Sequence, residues 1–554
     1  MEDHPGEIMK STCDRLSELP KPILHHILCF LPQEHAVQTC ALSKSWRDIG
    51  CTRPKIDFRH DRNIWDEDVF FKRDEDKFLF VLNKTLQGYH DRGISVQDFV
   101  VEMLWFDPKF ISLLEKWIPI LMLNMGVKRF HLESFSNYFD IPSVIFEAKS
   151  LEELHLERCR ITYPDKLLSK KLHILSLVMV DIGDEALRQI MSGCPLLERV
   201  VLYSCDSFTT IKAHYSNLKH FEYNYFRGDN HVVIDIDALS LESIRIVGGL
   251  RWLYLGKSFL HLKSVYLEYV VLDKKFFDTC SVDLCCLEDL EMHSCSVLEE
   301  FQLSSRSIKR VFFTVDGPTK AVLDLPNILC LDLHCNFFPS ISLSTDSSEW
   351  RSDIHLMYSL IPNNDNEAAS MFDKLHELHR ALGHSRISMH VSDFTQDFAF
   401  SHEGLGERPV IESLTVEKSS FYFFLKAFFN YFFGNFRPRY LEQSVYAVSE
   451  TEVYEEQPDT IDELMAQVYG PPVTVPVTIK YGGVNGLVDL LCDIFLMENE
   501  RENYYWGQDL EEVSVEAREE HGKKWRPLQG ANISESGLPN NVDQQIRFRL
   551  KWRG

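Results

Sequence analysis

Basic residues are scarce in this 554-residue chain: 58 Lys and Arg stand against 83 Asp and Glu, a formal net charge of −25. Holding a phosphate backbone takes concentrated positive charge, so no nucleic-acid partner is expected. Long apolar runs are missing too. The most apolar stretch, Phe421 to Phe433, has 13 residues and contains Lys426 and Asn430. A helix needs about 20 residues to span a bilayer, so a buried helix is expected there and no membrane association. The start, Met1-Glu-Asp-His-Pro-Gly-Glu, lacks the basic and apolar regions of a secretory signal. A soluble chain of the nucleus and/or cytoplasm is expected.

Complete catalytic signatures are also lacking. Gly256-Lys-Ser ends like a phosphate-binding loop, but Arg251 stands where the earlier glycine is needed, so the backbone cradle fails. Gly404-Leu-Gly406-Glu-Arg-Pro409 lacks the third glycine of a dinucleotide fingerprint. His376-Glu-Leu-His379 spaces its imidazoles i, i+3 rather than the i, i+4 of a zinc protease, and reads as a solvated helix face. No enzyme, cofactor or metal is expected.

What is present begins with an apolar helical segment. Pro20 and Pro22 suit a helix start, Ile23, Leu24, Ile27, Leu28 and Leu31 recur at helical spacing, and Pro32 stops the run. A second short helix is expected within Glu34 to Lys44 with Ala36, Val37, Cys40 and Ala41 inward, and Trp46 and Ile49 end the segment. Helices this few bury little by themselves, so their apolar face must pack on the next domain or on a partner.

The middle of the chain is periodic. Units of apolar-x-x-apolar-x-apolar begin at Val127, Leu151, Leu172, Leu197, Leu218, Leu241, Leu262, Leu287, Ile308 and Ile328, at spacings of 24, 21, 25, 21, 23, 21, 25, 21 and 20. This is the range of leucine-rich repeats, in which each unit supplies one short strand and stacking buries the shared apolar face. Cys159, Cys205, Cys295 and Asn336 occupy one recurring position, where a small polar group can satisfy the turning backbone. The 14 cysteines are therefore read as thiols in a reducing compartment. Cys280, Cys285, Cys286, His293 and Cys295 are likewise read as packing rather than as metal ligands. An irregular unit around Val96 to Val101 is expected to cap the array.

The variable strand positions of such a solenoid face its concave surface. The central column is expected to be His155, Ser176, Val201, Glu222, Arg245, Tyr266, Glu291, Phe312 and Asp332. Aromatic and Arg residues dominate binding hot spots, which nominates Arg245, Tyr266, Arg310 and Phe312 for target binding.

Asp14-Arg-Leu-Ser-Glu-Leu-Pro, Ile23-Leu-His-His-Ile-Leu-Cys-Phe-Leu-Pro and Leu42-Ser-Lys-Ser-Trp-Arg together resemble the plant F-box motif. The run departs from it after Arg47. Trp117 through Gly126-Val-Lys-Arg-Phe-His-Leu, Ile141-Pro-Ser-Val-Ile-Phe through Ser150-Leu-Glu-Glu-Leu-His-Leu, and Asp184 through Ser192-Gly-Cys-Pro-Leu-Leu-Glu resemble plant F-box/leucine-rich-repeat proteins. The resemblance covers roughly residues 14 to 340. It implies docking on a Skp-type adaptor, and through it a cullin–RING ubiquitin ligase, with Leu19, Pro20, Ile23, Leu24, Ile27, Leu31 and Trp46 as docking residues. The repeats would then hold an unidentified target protein. The alternatives are a repeat scaffold without ligase engagement and a small-molecule sensor of the same architecture.

Beyond residue 340 the repeat fades. Helix is expected at Glu367 to Leu382, and strands at Arg386 to Val391, Ile411 to Val416, and in the alternating stretches from Trp506 and from Ile546. The expected fold class is an α/β solenoid: a small all-α F-box, an irregular leucine-rich-repeat array and an α+β carboxy-terminal region. The expected divisions are a disordered 1–13, the F-box at 14–53, the repeats at 54–340, their continuation at 341–449, a flexible acidic, Pro-containing excursion at 450–486 and a strand-rich 487–554.

Overall fold

The computed structural model describes most of residues 19–59, 75–391, 408–417 and 429–444, together with 506–519, 524–527 and 544–553. The expected disordered start and the 450–486 excursion lie outside the described residues. The chain divides into two compact units, Met1–Asp289 and Leu290–Gly554.

The first unit opens with helix α1, Lys21–Cys29, whose start carries Pro22 where a missing amide costs little, and helix α2, Gln33–Gln38. Leu24, Leu28, Trp46 and Ile49 form its buried core, with Leu19 and Leu31 packed against it. Of the second helix's expected inward residues, Ala36 is buried but Val37 is 53% exposed. Cys40 and Ala41 lie outside the described residues.

A parallel ladder follows at once: β1 (Lys55–Phe58), β2 (Asp98–Met103), β3 (Arg129–Ser134), then Glu153–Glu157, Ile174–Val178, Arg199–Tyr203, His220–Asn224, Ser243–Val247 and Ser264–Glu268. The array thus begins two strands before the first expected repeat unit, at Val127. The segment around Val96 to Val101 is not its cap, because β2 is paired on both sides. Alternate side chains such as Leu154 and Leu156, or Val265 and Leu267, enter the core, as the two-residue period of a strand requires.

Repeat length decides how the chain returns. The two 25-residue units come back through helices, Asp184–Gly193 and Lys274–Val282. Several units of 20 to 23 residues return instead through short strands such as Thr210–Ala213, Val233–Ile236 and Lys320–Asp324. A helix rises about 1.5 Å per residue and a strand about 3.3 Å, so the same return distance takes about twice as many residues in helical form.

The turn leaving the strand recurs as well. Arg158, Met179, Ser204, Tyr269 and Ser294 all have φ between 44° and 55°, and Gly248 has 113°. Arg158, Ser204 and Ser294 stand directly before the recurring cysteines recognised in the sequence. The left-handed backbone keeps the ladder going, with the Arg158 amide donating to the Val178 carbonyl at 3.0 Å and the Gly248 amide to that of Glu268 at 2.9 Å. The following side chain then turns inward. Cys159 is fully buried, its thiol donating to the Glu157 carbonyl at 3.2 Å, and the Cys205 thiol donates to that of Leu177 at 3.3 Å.

In the second unit Arg310–Val315, Cys330–Cys335, Arg351–Tyr358, Arg386–Val391, Val410–Glu417 and Arg437–Ser444 continue in parallel. The repeat therefore persists past residue 340 and loses only its regular spacing. The expected helix is present as Asp365–Ala381, with Leu375 and Leu378 buried, and Leu382 buried just beyond it. Phe429, Phe432 and Phe433, in the apolar stretch, are fully buried. The sheet ends in an antiparallel pair, Gln544–Trp552 between Arg437–Ser444 and Leu510–Glu519.

Candidate interaction surfaces

The F-box presents one surface. The proposed docking residues divide by burial: Leu24 and Trp46 sit in the core of the segment, Leu19, Ile27 and Leu31 are partly buried, and Pro20 and Ile23 are exposed. Phe30 is 77% exposed and was not among the expected residues. Pro20, Ile23, Ile27 and Phe30 fall at i, i+3, i+7 and i+10, one stripe on α1. The signal for Phe30 was available in that spacing, but the stripe through Leu24, Leu28 and Leu31 was stronger.

This surface is fixed to the repeats by Arg53. Its fully buried guanidinium donates to the carbonyls of Leu28 at 3.0 Å and Leu31 at 3.1 Å, and to the Gln33 side-chain oxygen. Lys55, on β1, donates to the Cys29 carbonyl at 3.2 Å. Both side chains add donors to carbonyls at and just beyond the end of α1. Burial pulls the Arg53 guanidinium below its usual range.

The concave face presents the second surface. In the first unit the register aligns His131, His155, Ser176, Val201, Glu222, Arg245 and Tyr266, so the expected column runs in order and extends back through Val100 to Asp57. Arg245 lies over the Tyr266 ring at 3.6 Å and 3.8 Å from Glu222, while the Tyr266 hydroxyl donates to Glu268 at 2.7 Å. Burial first, then that bond, pushes the Tyr266 hydroxyl above the usual phenol range.

In the second unit Phe312, Asp332 and Asp353 share the column, and Arg310 is exposed beside Cys330 and Arg351. Phe312 stacks on His293 at 4.2 Å and contacts His334 at 4.8 Å, and His334 contacts His355 at 4.6 Å. This ring ladder was missed because His334 and His355 lie one column over, outside the positions read for binding. Burial first, then the charge of His355, lowers the His334 pKa below the usual imidazole value.

Of the cysteines weighed as ligands, Cys280 and Cys295 are buried. Among the described residues, the one group of His, Cys, Asp or Glu close enough to share an ion is elsewhere: His131, Glu133 and His155. Also among the described residues, no helix is long and apolar enough to cross a membrane.

Residues 16–56 match the family described as F-box domain, and residues 89–306 that described as At1g61320/AtMIF1, LRR domain. The chain thus carries an F-box match followed by a leucine-rich-repeat match. Its relatives in Arabidopsis thaliana include F-box/LRR-repeat protein 25, 27% identical over 36% of this chain and 71% of the relative. F-box/LRR-repeat protein At3g59200 is 30% identical over 34% and 36%. F-box protein At5g03100 is 30% identical over 35% and 57%. The chain thus spans between about a third and seven-tenths of these relatives' lengths. The F-box match ends inside β1, where Arg53 and Lys55 join the helical segment to the first strand of the ladder.

Proposed function

We propose that this chain is the non-catalytic substrate-recognition subunit of an SCF-type cullin–RING ubiquitin ligase: the F-box docks on a Skp-type adaptor and the repeats hold a protein target. The observation that carries the reading is the F-box surface. Its core is closed by Leu24, Leu28, Trp46 and Ile49, yet Ile23 is 48% and Phe30 77% exposed on the same helix. An apolar stripe left outside a completed core suits a partner. Ubiquitin transfer would be supplied by the bound ligase, with this chain contributing proximity and orientation.

On the target side, the exposed Arg245, Arg310 and the half-buried Tyr266 and Phe312 are the proposed contacts. Tyr266 and Phe312 already have side chains packed against their rings, which lowers the entropy lost on binding. Affinity capture with three forms of the full chain tests the assignment. Ile23→Asp with Phe30→Asp should lose adaptor and cullin but keep targets, and Tyr266→Ala with Phe312→Ala should do the reverse. Retention of both sets by both variants contradicts the reading.

A further inference from the structure

We propose that His131, Glu133 and His155 form a binding site for a zinc-class transition-metal dication on the concave face of the first repeats. His131 and His155 are register partners on neighbouring parallel strands, and their rings stack 4.0 Å apart at 13°. Glu133 lies two residues along β3 on the same face, its carboxylate 3.0 Å from His131 Nε2. Donor atoms of all three lie within 4.8 Å of one another. A tetrahedral ion with bonds of about 2.0–2.1 Å holds its ligand atoms about 3.3 Å apart, so the site closes when the two rings tilt out of their parallel stack and turn their nitrogen lone pairs toward one point.

The surroundings favour the ion. His155 Nδ1 lies 2.9 Å from the Ser176 hydroxyl. When Nδ1 carries the proton and donates it there, Nε2 keeps the lone pair that ligates, and the serine orients the ring as outer partners of metal-bound imidazoles do. Glu133 is only 8% exposed, whereas His131 is 31% exposed. A buried carboxylate thus meets an ion that solvent can reach. Glu102, also buried, is the register partner of Glu133.

The competing cation is Arg59, which feels the charges of Glu102 and Glu133. Its guanidinium is occupied by both oxygens of Asp57, at 3.0 and 2.8 Å, and Lys55 is 2.7 Å from the same carboxylate. Two imidazoles and one carboxylate select zinc, cobalt or nickel over magnesium and calcium, which prefer all-oxygen sites. Three protein ligands also leave a fourth position open toward the concave face, suited to water or to a carboxylate or imidazole of a bound protein.

Calorimetric titration of the chelator-stripped full chain with zinc chloride tests the site. One equivalent should bind, at least 10-fold more weakly in His155→Gln and in Glu133→Gln. His220→Gln, a change to another strand histidine bonded to a serine, should leave it unaltered. Magnesium should not compete. Cobalt(II) added to the unaltered chain gives an independent reading, because a four-coordinate site absorbs far more strongly in the visible than hydrated cobalt. Unchanged zinc affinity in a folded His131→Gln, His155→Gln double variant overturns the proposal. So does a weak, hydrated-type cobalt spectrum from the unaltered chain.

Discussion

At the residue scale, the position one after the left-handed turn was legible and the turn itself was not. Cys159, Cys205 and Cys295 show in the repeat because each must be small and buried. Arg158, Met179, Ser204, Tyr269 and Ser294 share only a backbone conformation, which leaves no common side chain to read. That conformation costs a non-glycine residue roughly 1–2 kcal/mol, partly returned as lower unfolded-chain entropy. Ser294→Gly should therefore be neutral to about 1 kcal/mol stabilising. Gly248→Ala should be clearly destabilising, since a Cβ there would lie 2.0 Å from the Tyr225 carbonyl oxygen. Urea midpoints of the two variants check the contrast. His334 adds a pH dependence. Its folded pKa lies below the unfolded value, so the folded state takes up a proton less readily. Stability should be flat above about pH 6.5 and fall as pH drops through that unfolded value. His334→Gln should flatten part of the fall in melting temperature between pH 7.5 and 5.5. His293, His355 and Asp332 face the same imidazole and remain in both proteins.

At the element scale, helices and strands with strong periods were readable in place: α1, the repeat strands and the helix Asp365–Ala381 all fall where apolar spacing puts them. What escaped was the stabilising contact made over distance. Arg53 is an ordinary basic residue in sequence, yet it holds the end of α1 from the threshold of β1. Arg53→Met keeps much of the volume but removes the side-chain donor to the Leu31 carbonyl, a loss of about 1–3 kcal/mol, while the Leu28 carbonyl keeps the Leu31 amide at 3.1 Å. The F-box should lose roughly 1–3 kcal/mol of local stability on that basis, seen as faster amide exchange in α1 while the repeat strands keep their protection. The burial of Leu24 also changes how docking must be probed. A charge at Leu24 would break the F-box core rather than its surface, whereas Ile23 and Phe30 can be altered from outside.

At the scale of the whole molecule, the order of parts was legible because each part has its own pattern: helical spacing, then a 20-to-25-residue repeat, then alternation. Which parts pair was not. The strands Leu510–Glu519 and Gln544–Trp552 stood out by alternation, but nothing local said that they would cover the last parallel strand, more than 60 residues earlier in the chain. Pairing there covers the edge of the last parallel strand, an open edge being a hazard in a long parallel array. Trp552 donates to the Pro438 carbonyl at 2.7 Å, and Arg408 pairs with Asp509, across similar separations. The central claim concerns the amino-terminal helices, where a buried F-box core leaves an apolar stripe outside. Size-exclusion chromatography with light scattering, on the full chain mixed with a purified Skp-type adaptor, tests it directly. A one-to-one complex should form at micromolar concentration and be absent for the folded Ile23→Asp, Phe30→Asp variant. Separate elution of the unaltered chain and adaptor, or an undiminished complex with the variant, would contradict the account.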